Sequence, residues 1–241
     1  MTAELTDRLR REIEHGSRIS HFGRRKQDGI SPPGRVRRDR RATFLLNQIP
    51  RSARILEIGA RTGMHTLGLV AAIDDVTAID ISPDLLKIAK RRAPRAKYRL
   101  MDGHAPEFSP GTFDAILGVS ILHHLNWDIA LANYFRLLRP QGIVRFSEPN
   151  LLNPQIYVQK NIPVLKRLAG DSPDEYAFTR WQIARSLRKI GFTAICVKAF
   201  EFLHPATPER LIPLATKVEN WLSRIALNEI AGSLLIEASR P

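Results

Sequence analysis

Six residues stand where their types and spacing could do chemistry. His123 and His124 sit side by side just past the apolar run Phe113–Val119. Histidine titrates near neutral pH, so either ring can take a proton from a bound group. Its alternative is to pack or to cap the helix that follows. Glu148, ahead of Pro149 and Asn150, ends another apolar run and is a second candidate base, its alternative being a loop anchor. Glu57 lies inside the run Ile55, Leu56, Ile58, two residues before Gly59, and Gly63 follows four residues later. A buried strand, a glycine turn and a helix start make a corner where bare backbone lets a ligand come close. Asp80, twenty-one residues after Gly59, ends the next apolar run (Val76, Ala78, Ile79). An acid at that distance lies at the tip of the neighbouring parallel strand and can accept hydrogen bonds from ribose hydroxyls. Asp102 opens D-G-H after a third short run.

The spacing E-x-G-x-x-x-G is not the G-x-G-x-x-G that holds a pyrophosphate on a helix N-terminus. A carboxylate beside the turn suits a cation better than an anion. S-adenosylmethionine carries a sulfonium and an ammonium. The segment R-I-L-E-I-G-A-R-T-G-M-H resembles the first motif of class I S-adenosylmethionine-dependent methyltransferases, usually E-x-G-x-G-x-G, with Arg61 in place of the middle glycine. There the backbone of Arg61 alone must replace the glycine, with its side chain away from the cofactor. V-T-A-I-D-I-S resembles the second motif, and F-D-A-I-L-G-V-S-I-L-H-H-L the fourth. L-L-R-P-Q-G-I-V resembles the entry to strand five, and F-T-R-W-Q-I-A-R-S-L-R-K-I-G-F the helix before strand six. The resemblance covers roughly residues 50–149 and 178–203. It implies an α/β, Rossmann-like, seven-stranded and mostly parallel sheet with an antiparallel last strand and helices on both faces. It implies S-adenosyl-L-methionine as cofactor, bound by Glu57, Gly59, Ala60, Gly63, Asp80, Ile81, Asp102, Gly103 and Val119, with Asp102 on the adenine amino group.

Methyl transfer is an in-line displacement in which the protein mainly positions and desolvates. The expected catalytic residues are His123, His124 and Glu148. Tyr157, Tyr176 and Trp181 suggest a lid over an organic substrate, or else a small satellite core. The expected acceptor is a small-molecule or lipid-linked metabolite, anionic in part, methylated on oxygen or nitrogen. An RNA-directed methyltransferase using the basic N-terminal arm is the alternative. A non-catalytic cofactor-binding protein is a third reading, because Arg61 breaks the glycine motif. Base-amino methylation is disfavoured, since V-S-I-L-H-H stands where an Asp/Asn-Pro-Pro-aromatic motif is expected.

The chain has 241 residues with 44% hydrophobic content, enough for one large domain with additions. No run of about 18 apolar residues occurs, so no membrane span is expected. The start M-T-A-E-L-T-D-R-L-R-R has no apolar signal region, so export is not expected. The single Cys196 excludes an internal disulfide and, with this, suggests a cytoplasmic protein. Seven histidines without metal-ligand spacing argue against a metal. Residues 1–54 hold 14 Lys and Arg against 6 acids, so much of the net charge of +13 belongs to the N-terminal arm. Such an arm suits nucleic acid, an anionic membrane surface or an acidic substrate, or is a solvated helix. Arg24, Arg25, Lys26, Arg35, Arg37 and Arg38 are expected to face an anionic part of the acceptor.

The pattern divides the chain into a basic helical arm at 1–49 and a methyltransferase domain at 50–241. That domain carries a lid-like insertion at about 150–178 and a helical insertion at about 206–228. Helices are expected at 2–15, 35–48, 64–72, from Ser82-Pro83 to Pro94, at 127–138, at 179–190 with Thr179 as cap and Gly191 as stop, and at 208–227. Strands are expected at 54–58, 76–81, 98–101, 113–119, 143–147, 192–202 and 233–238, with Arg139 to Gly142 as a turn.

Overall fold

A computed structural model of the chain describes residues 7–8, 10–14, 16–17, 31–169, 171–172, 175–224 and 227–241. The elements, in order, are α1 (Pro32–Leu46), β1 (Arg54–Ile58), α2 (Met64–Ala72), β2 (Asp75–Asp80), α3 (Pro83–Arg92), β3 (Lys97–Leu100), β4 (Phe113–Val119), α4 (Trp127–Leu137), β5 (Leu138–Pro149), α5 (Pro154–Asn161), α6 (Pro163–Ala169), α7 (Arg180–Ile190), β6 (Thr193–Phe200), α8 (Ile212–Arg224) and β7 (Ser233–Ser239). Residues 7–8, 10–14 and 16–17 are helical. The rest of the expected 2–15 helix, with Arg24, Arg25 and Lys26, lies outside the described residues.

The seven strands form one sheet in the order β3-β2-β1-β4-β5-β7-β6. β1 pairs in parallel with β2 and β4, and β4 with β5, while β7 runs antiparallel to β5 and β6. The order reverses between β1 and β4, the place where an open α/β sheet opens a crevice at its carboxyl edge. Period-two alternation sorts β1 onto the two faces. Leu56 and Ile58 join the core with Tyr134, Phe146 and Leu187, whereas Ile55 joins Leu45, Leu69 and Val70. Glu57 shares the Ile55 face and so points at α2.

Local signals explain the helix ends. Ser82 caps α3 ahead of Pro83. Thr179 and Gln182 form a capping box on α7, and Gly191 closes it at φ 109°. Three expectations are corrected. α1 begins at Pro32, because Ser31 caps it and the paired prolines fit a first turn that donates no hydrogen bonds. Residues 139–142 are carried within β5 as a bulge: Phe113 pairs with Leu138 and then Ala115 with Ile143, with Gln141 at φ 64°. The expected 208–227 helix is a 3₁₀ turn, Glu209–Leu211, followed by α8.

Candidate active site

The carboxyl edge of β1, β2 and β4 borders a cavity of about 440 Å³. Gly59, Asp80, Ile81, Asp102, Gly103, His123 and His124 all line it. The chain turns off β1 at Gly59, φ 76°, where a Cβ would come within 2.9 Å of Ile121. Glycine is needed there both for the left-handed backbone and for space. Arg61 takes φ 46°, the conformation a glycine would adopt, and its N–H donates to Asp80 Oδ2 at 2.7 Å. Ser82 N donates to Asp80 Oδ1 at 2.9 Å. Burial raises the Asp80 carboxyl above its ordinary range against those two donors. Asp102 engages His104 through Oδ1 alone, from the backbone N–H at 2.9 Å and from Nδ1 at 2.8 Å. Burial of Asp102 opposes ionisation, but His104 holds it below the usual carboxylate range. Its Oδ2 is left for a ligand donor.

The opposite wall carries the titratable cluster. Glu148, fully buried at the end of β5, accepts from Ile121 N and Leu122 N at 2.9 Å each, both through Oε1. Its Oε2 lies 2.8 Å from His123 Nδ1. A ring that donates Nδ1–H to Glu148 keeps its lone pair on Nε2, which lies 3.8 Å from Glu175 Oε2. Burial, reinforced by His124, keeps His123 neutral by pulling its pKa well below the ordinary value. Burial also raises Glu148 to about 7. His124 Nδ1 lies 3.0 Å from Glu12 Oε2 of the N-terminal helical residues, and Arg8 Nη2 donates to His124 O at 2.5 Å.

Glu175 and Lys160 were missed in the sequence because they come from the insertion, far along the chain from the histidines. Glu175 Oε2 lies 3.8 Å from His123 Nε2, and its Oε1 3.8 Å from His124 Nδ1. These three side chains are close enough to hold a cation, which spacing could not reveal. Lys160 Nζ already supplies a positive charge there, 2.5 Å from Glu175 and 2.8 Å from Asp171. Burial opposes ionisation of Glu175, yet His124 and Lys160 hold it below the usual carboxylate range.

Arg41 was also missed. It donates to Ser147 Oγ, Glu201 Oε2 and Ser233 Oγ and lines the cavity with Arg37. Two guanidiniums share one carboxylate, since Arg37 Nη2 lies 3.0 Å from Glu201 Oε2. This wall therefore keeps an excess of positive charge. Of the described members of the expected basic set, Arg37 lines the main cavity, and Arg38 lines an adjoining one of about 160 Å³.

Other expected site residues lie elsewhere. Glu57 does not line the cavity: it is buried, accepts from Thr66 Oγ1 at 2.6 Å, and is raised by burial to about 8. It links β1 to α2 as a largely uncharged carboxyl, because its place in the strand faces the helix. Gly63 caps α2 and lets it approach α3, where a Cβ would meet Ala89 Cα at 2.8 Å. Ala60 and Val119 line the smaller cavity with His65. Tyr157, Tyr176 and Trp181 are exposed and are not among the residues lining the main cavity. Their neighbours Ile156, Gln159, Lys160 and Glu175 line it instead.

The sheet order, the glycine turn and the strand-end acids define a class, the Rossmann-like methyltransferases. The family model described as a methyltransferase domain matches residues 55–142. A demethylmenaquinone methyltransferase of Tropheryma whipplei (strain Twist) is 33% identical over 182 residues, 68% of this chain and 76% of that protein. The chain belongs to the S-adenosylmethionine-dependent methyltransferase family, and S-adenosylmethionine is its cofactor. Two solved structures share the fold. A methyltransferase of Thermotoga maritima, described as a possible histamine N-methyltransferase, superposes with a TM-score of 0.71 at 16% identity, covering 94% of this chain and all of that one. The N-methyltransferase NodS of Bradyrhizobium japonicum, bound to S-adenosylhomocysteine, gives 0.66 at 17% identity, covering 95% and 98%. Among the described residues no helix is long and apolar enough to cross a membrane.

Proposed function

We propose that the protein transfers a methyl group to a lipid-linked small molecule, using His123 as proton acceptor and Glu148 to hold it. The observation that carries this is the single cavity with two unlike walls. Gly59, Asp80 and Asp102 stand on one, and His123, with its Nδ1 2.8 Å from Glu148 Oε2, stands on the other.

The bound cofactor supplies an electrophilic methyl group. Asp80 suits the ribose hydroxyls, since each of its oxygens takes one backbone donor and keeps a lone pair. Asp102 Oδ2 suits the adenine amino group. Arg37 and Arg41 suit the methionine carboxylate, because their shared Glu201 leaves the wall positive. Glu57, neutral and turned to α2, has no direct part in this scheme.

The acceptor is the reduced quinol, whose ring carbon takes the methyl; loss of the ring C–H proton restores the aromatic ring afterwards, and the attack itself needs the neighbouring hydroxyl to lose its proton. His123 takes it at Nε2, and Glu148 stabilises the imidazolium across Nδ1. Lys160 and Glu175 close the far side and orient the acceptor. The Tropheryma relative supports a lipid-linked quinone as the acceptor class. A cytoplasmic location, expected from the lone Cys196, fits this scheme.

The test supplies methyl-labelled cofactor and detergent-dispersed demethylmenaquinone, reduced to the quinol with dithionite, to the full chain. Label should enter the organic phase with wild type and fall by about 10²–10⁴ with His123→Ala. Label that stays aqueous, with protein that is folded and binds cofactor, rejects the lipid-linked acceptor.

A further inference from the structure

The insertion that closes the cavity is built inside out. On α5, Ile156, Gln159 and Lys160 share one face at helical spacing and line the cavity. Two of the three are polar: Gln159 donates to Asp171 at 2.9 Å, and Lys160 is locked between Asp171 and Glu175. The opposite face carries Tyr157 and Val158, both exposed. The apolar surface continues outward through Ile162, Val164, Leu165 and Leu168, and Leu168 is 78% exposed. A surface helix of a water-soluble domain normally turns its apolar stripe to the core and its charge to solvent. Here the arrangement is reversed on two successive helices.

A second outward stripe lies on α8, where Leu214, Val218 and Trp221 recur at helical spacing and are all exposed. The segments flanking α8 are tied to the start of α5. Gln155 Nε2 lies 3.0 Å from His204 Nε2, and Asn153 Nδ2 donates to Ile230 O at 2.8 Å. Both stripes therefore belong to elements around the mouth of one cavity, which Pro205, Gly232 and Ser233 also line.

Charge selects the occupant. Residues 151–169 contain three basic residues and no acid, in a chain of net charge +13. Apolar side chains with a tryptophan, set among basic residues on short helices, match the headgroup boundary of an anionic bilayer. We propose that α5 and α6, flanked by α8, dock the protein on an anionic lipid surface. The cavity mouth then faces the leaflet in which a lipid-linked acceptor resides. This deepens the proposed function and rests on it only for that last step. The chemistry is peripheral: the helices lie in the interface and do not cross it.

The experiment is flotation of the full chain with phosphatidylcholine vesicles, with and without phosphatidylglycerol, in the absence of cofactor and acceptor. Wild type should float with the anionic vesicles, and less so as salt is raised. Leu165→Glu/Leu168→Glu should reduce binding by about tenfold or more, and Arg167→Glu by less. Those side chains are exposed, so circular dichroism and Tm should match wild type. Methyl transfer to detergent-dispersed demethylmenaquinone, reduced to the quinol, should be retained by the double variant and lost with vesicle-embedded acceptor. Wild type that stays with the soluble fraction overturns the proposal, as does a double variant that floats equally well. A concentration-dependent oligomer dissolved by the same substitutions assigns the face to a second copy and also overturns it. Docking without methyl transfer in either format leaves this surface standing and removes the proposed reaction.

Discussion

Glu148→Gln isolates the chemistry from the fold. The substituted amide keeps a carbonyl oxygen where Oε1 accepts from Ile121 N and Leu122 N, so both buried donors stay satisfied. Its NH₂ then faces His123 Nδ1, where a carboxylate oxygen stood at 2.8 Å. A donor at that point forces the ring proton to Nε2, and the cavity receives an N–H in place of a lone pair. The proton acceptor is lost without loss of the scaffold. General-base catalysis contributes about 10²–10⁴-fold, so kcat should fall by that factor while cofactor affinity and Tm hold. Glu148→Ala provides the contrast: it strands two buried N–H groups at about 1–3 kcal/mol each, or about 2–6 kcal/mol of stability. The wild-type pH profile should rise as the pair loses a proton near 7, the value to which burial raises Glu148. That limb should be absent in the glutamine variant. The assay is release of S-adenosylhomocysteine with detergent-dispersed demethylmenaquinone reduced to the quinol, beside calorimetric titration of cofactor. A glutamine variant that turns over within about threefold of wild type, or keeps the limb near 7, refutes the role given to His123.

Asp80→Ala should weaken cofactor binding by about 10–100-fold through the lost ribose acceptor, read by calorimetry; an unchanged Kd removes that assignment. Gly59→Ala places a Cβ against Ile121 at φ 76° and should lower stability by about 1–3 kcal/mol together with cofactor affinity, measured by urea unfolding and titration. Glu57 has its folded pKa raised from 4.5 to about 8, so the folded state holds an extra proton between those values. Stability should therefore fall as pH rises through that window, and Glu57→Gln should flatten the fall in a Tm series; an identical slope in the variant contradicts a buried neutral carboxyl.

The backbone-dictated features were the legible ones. The turn at Gly59 and the cap residues Ser82, Thr179 and Gly191 read directly, because turn and cap chemistry is local. Which face of an element looks inward is not local. Glu57 was assigned to the ligand from its distance to Gly59, yet period-two alternation set it on the Ile55 side, against Thr66. The aromatic content of the insertion suggested Tyr157, Tyr176 and Trp181 as a lid, but α5 turns Gln159 and Lys160 inward instead. Composition showed the aromatic content of the insertion and could not show which way those side chains would face. The α1 arginines were legible as charge but not as partners, because Glu201 lies 160 residues beyond Arg41 in sequence. His123 and Glu148 were each named as candidates for one task; that they form a single hydrogen-bonded pair required β4 and β5 to be side by side.

The structure of the full chain with bound S-adenosylhomocysteine tests the central claim most directly. The account predicts ribose oxygens on Asp80, the adenine amino group on Asp102 Oδ2, the carboxylate toward Arg37 and Arg41, and the sulfur opening to the side where His123 Nε2 stands. A cofactor seated in this cavity with its sulfur turned away from His123, or one seated elsewhere, would contradict it.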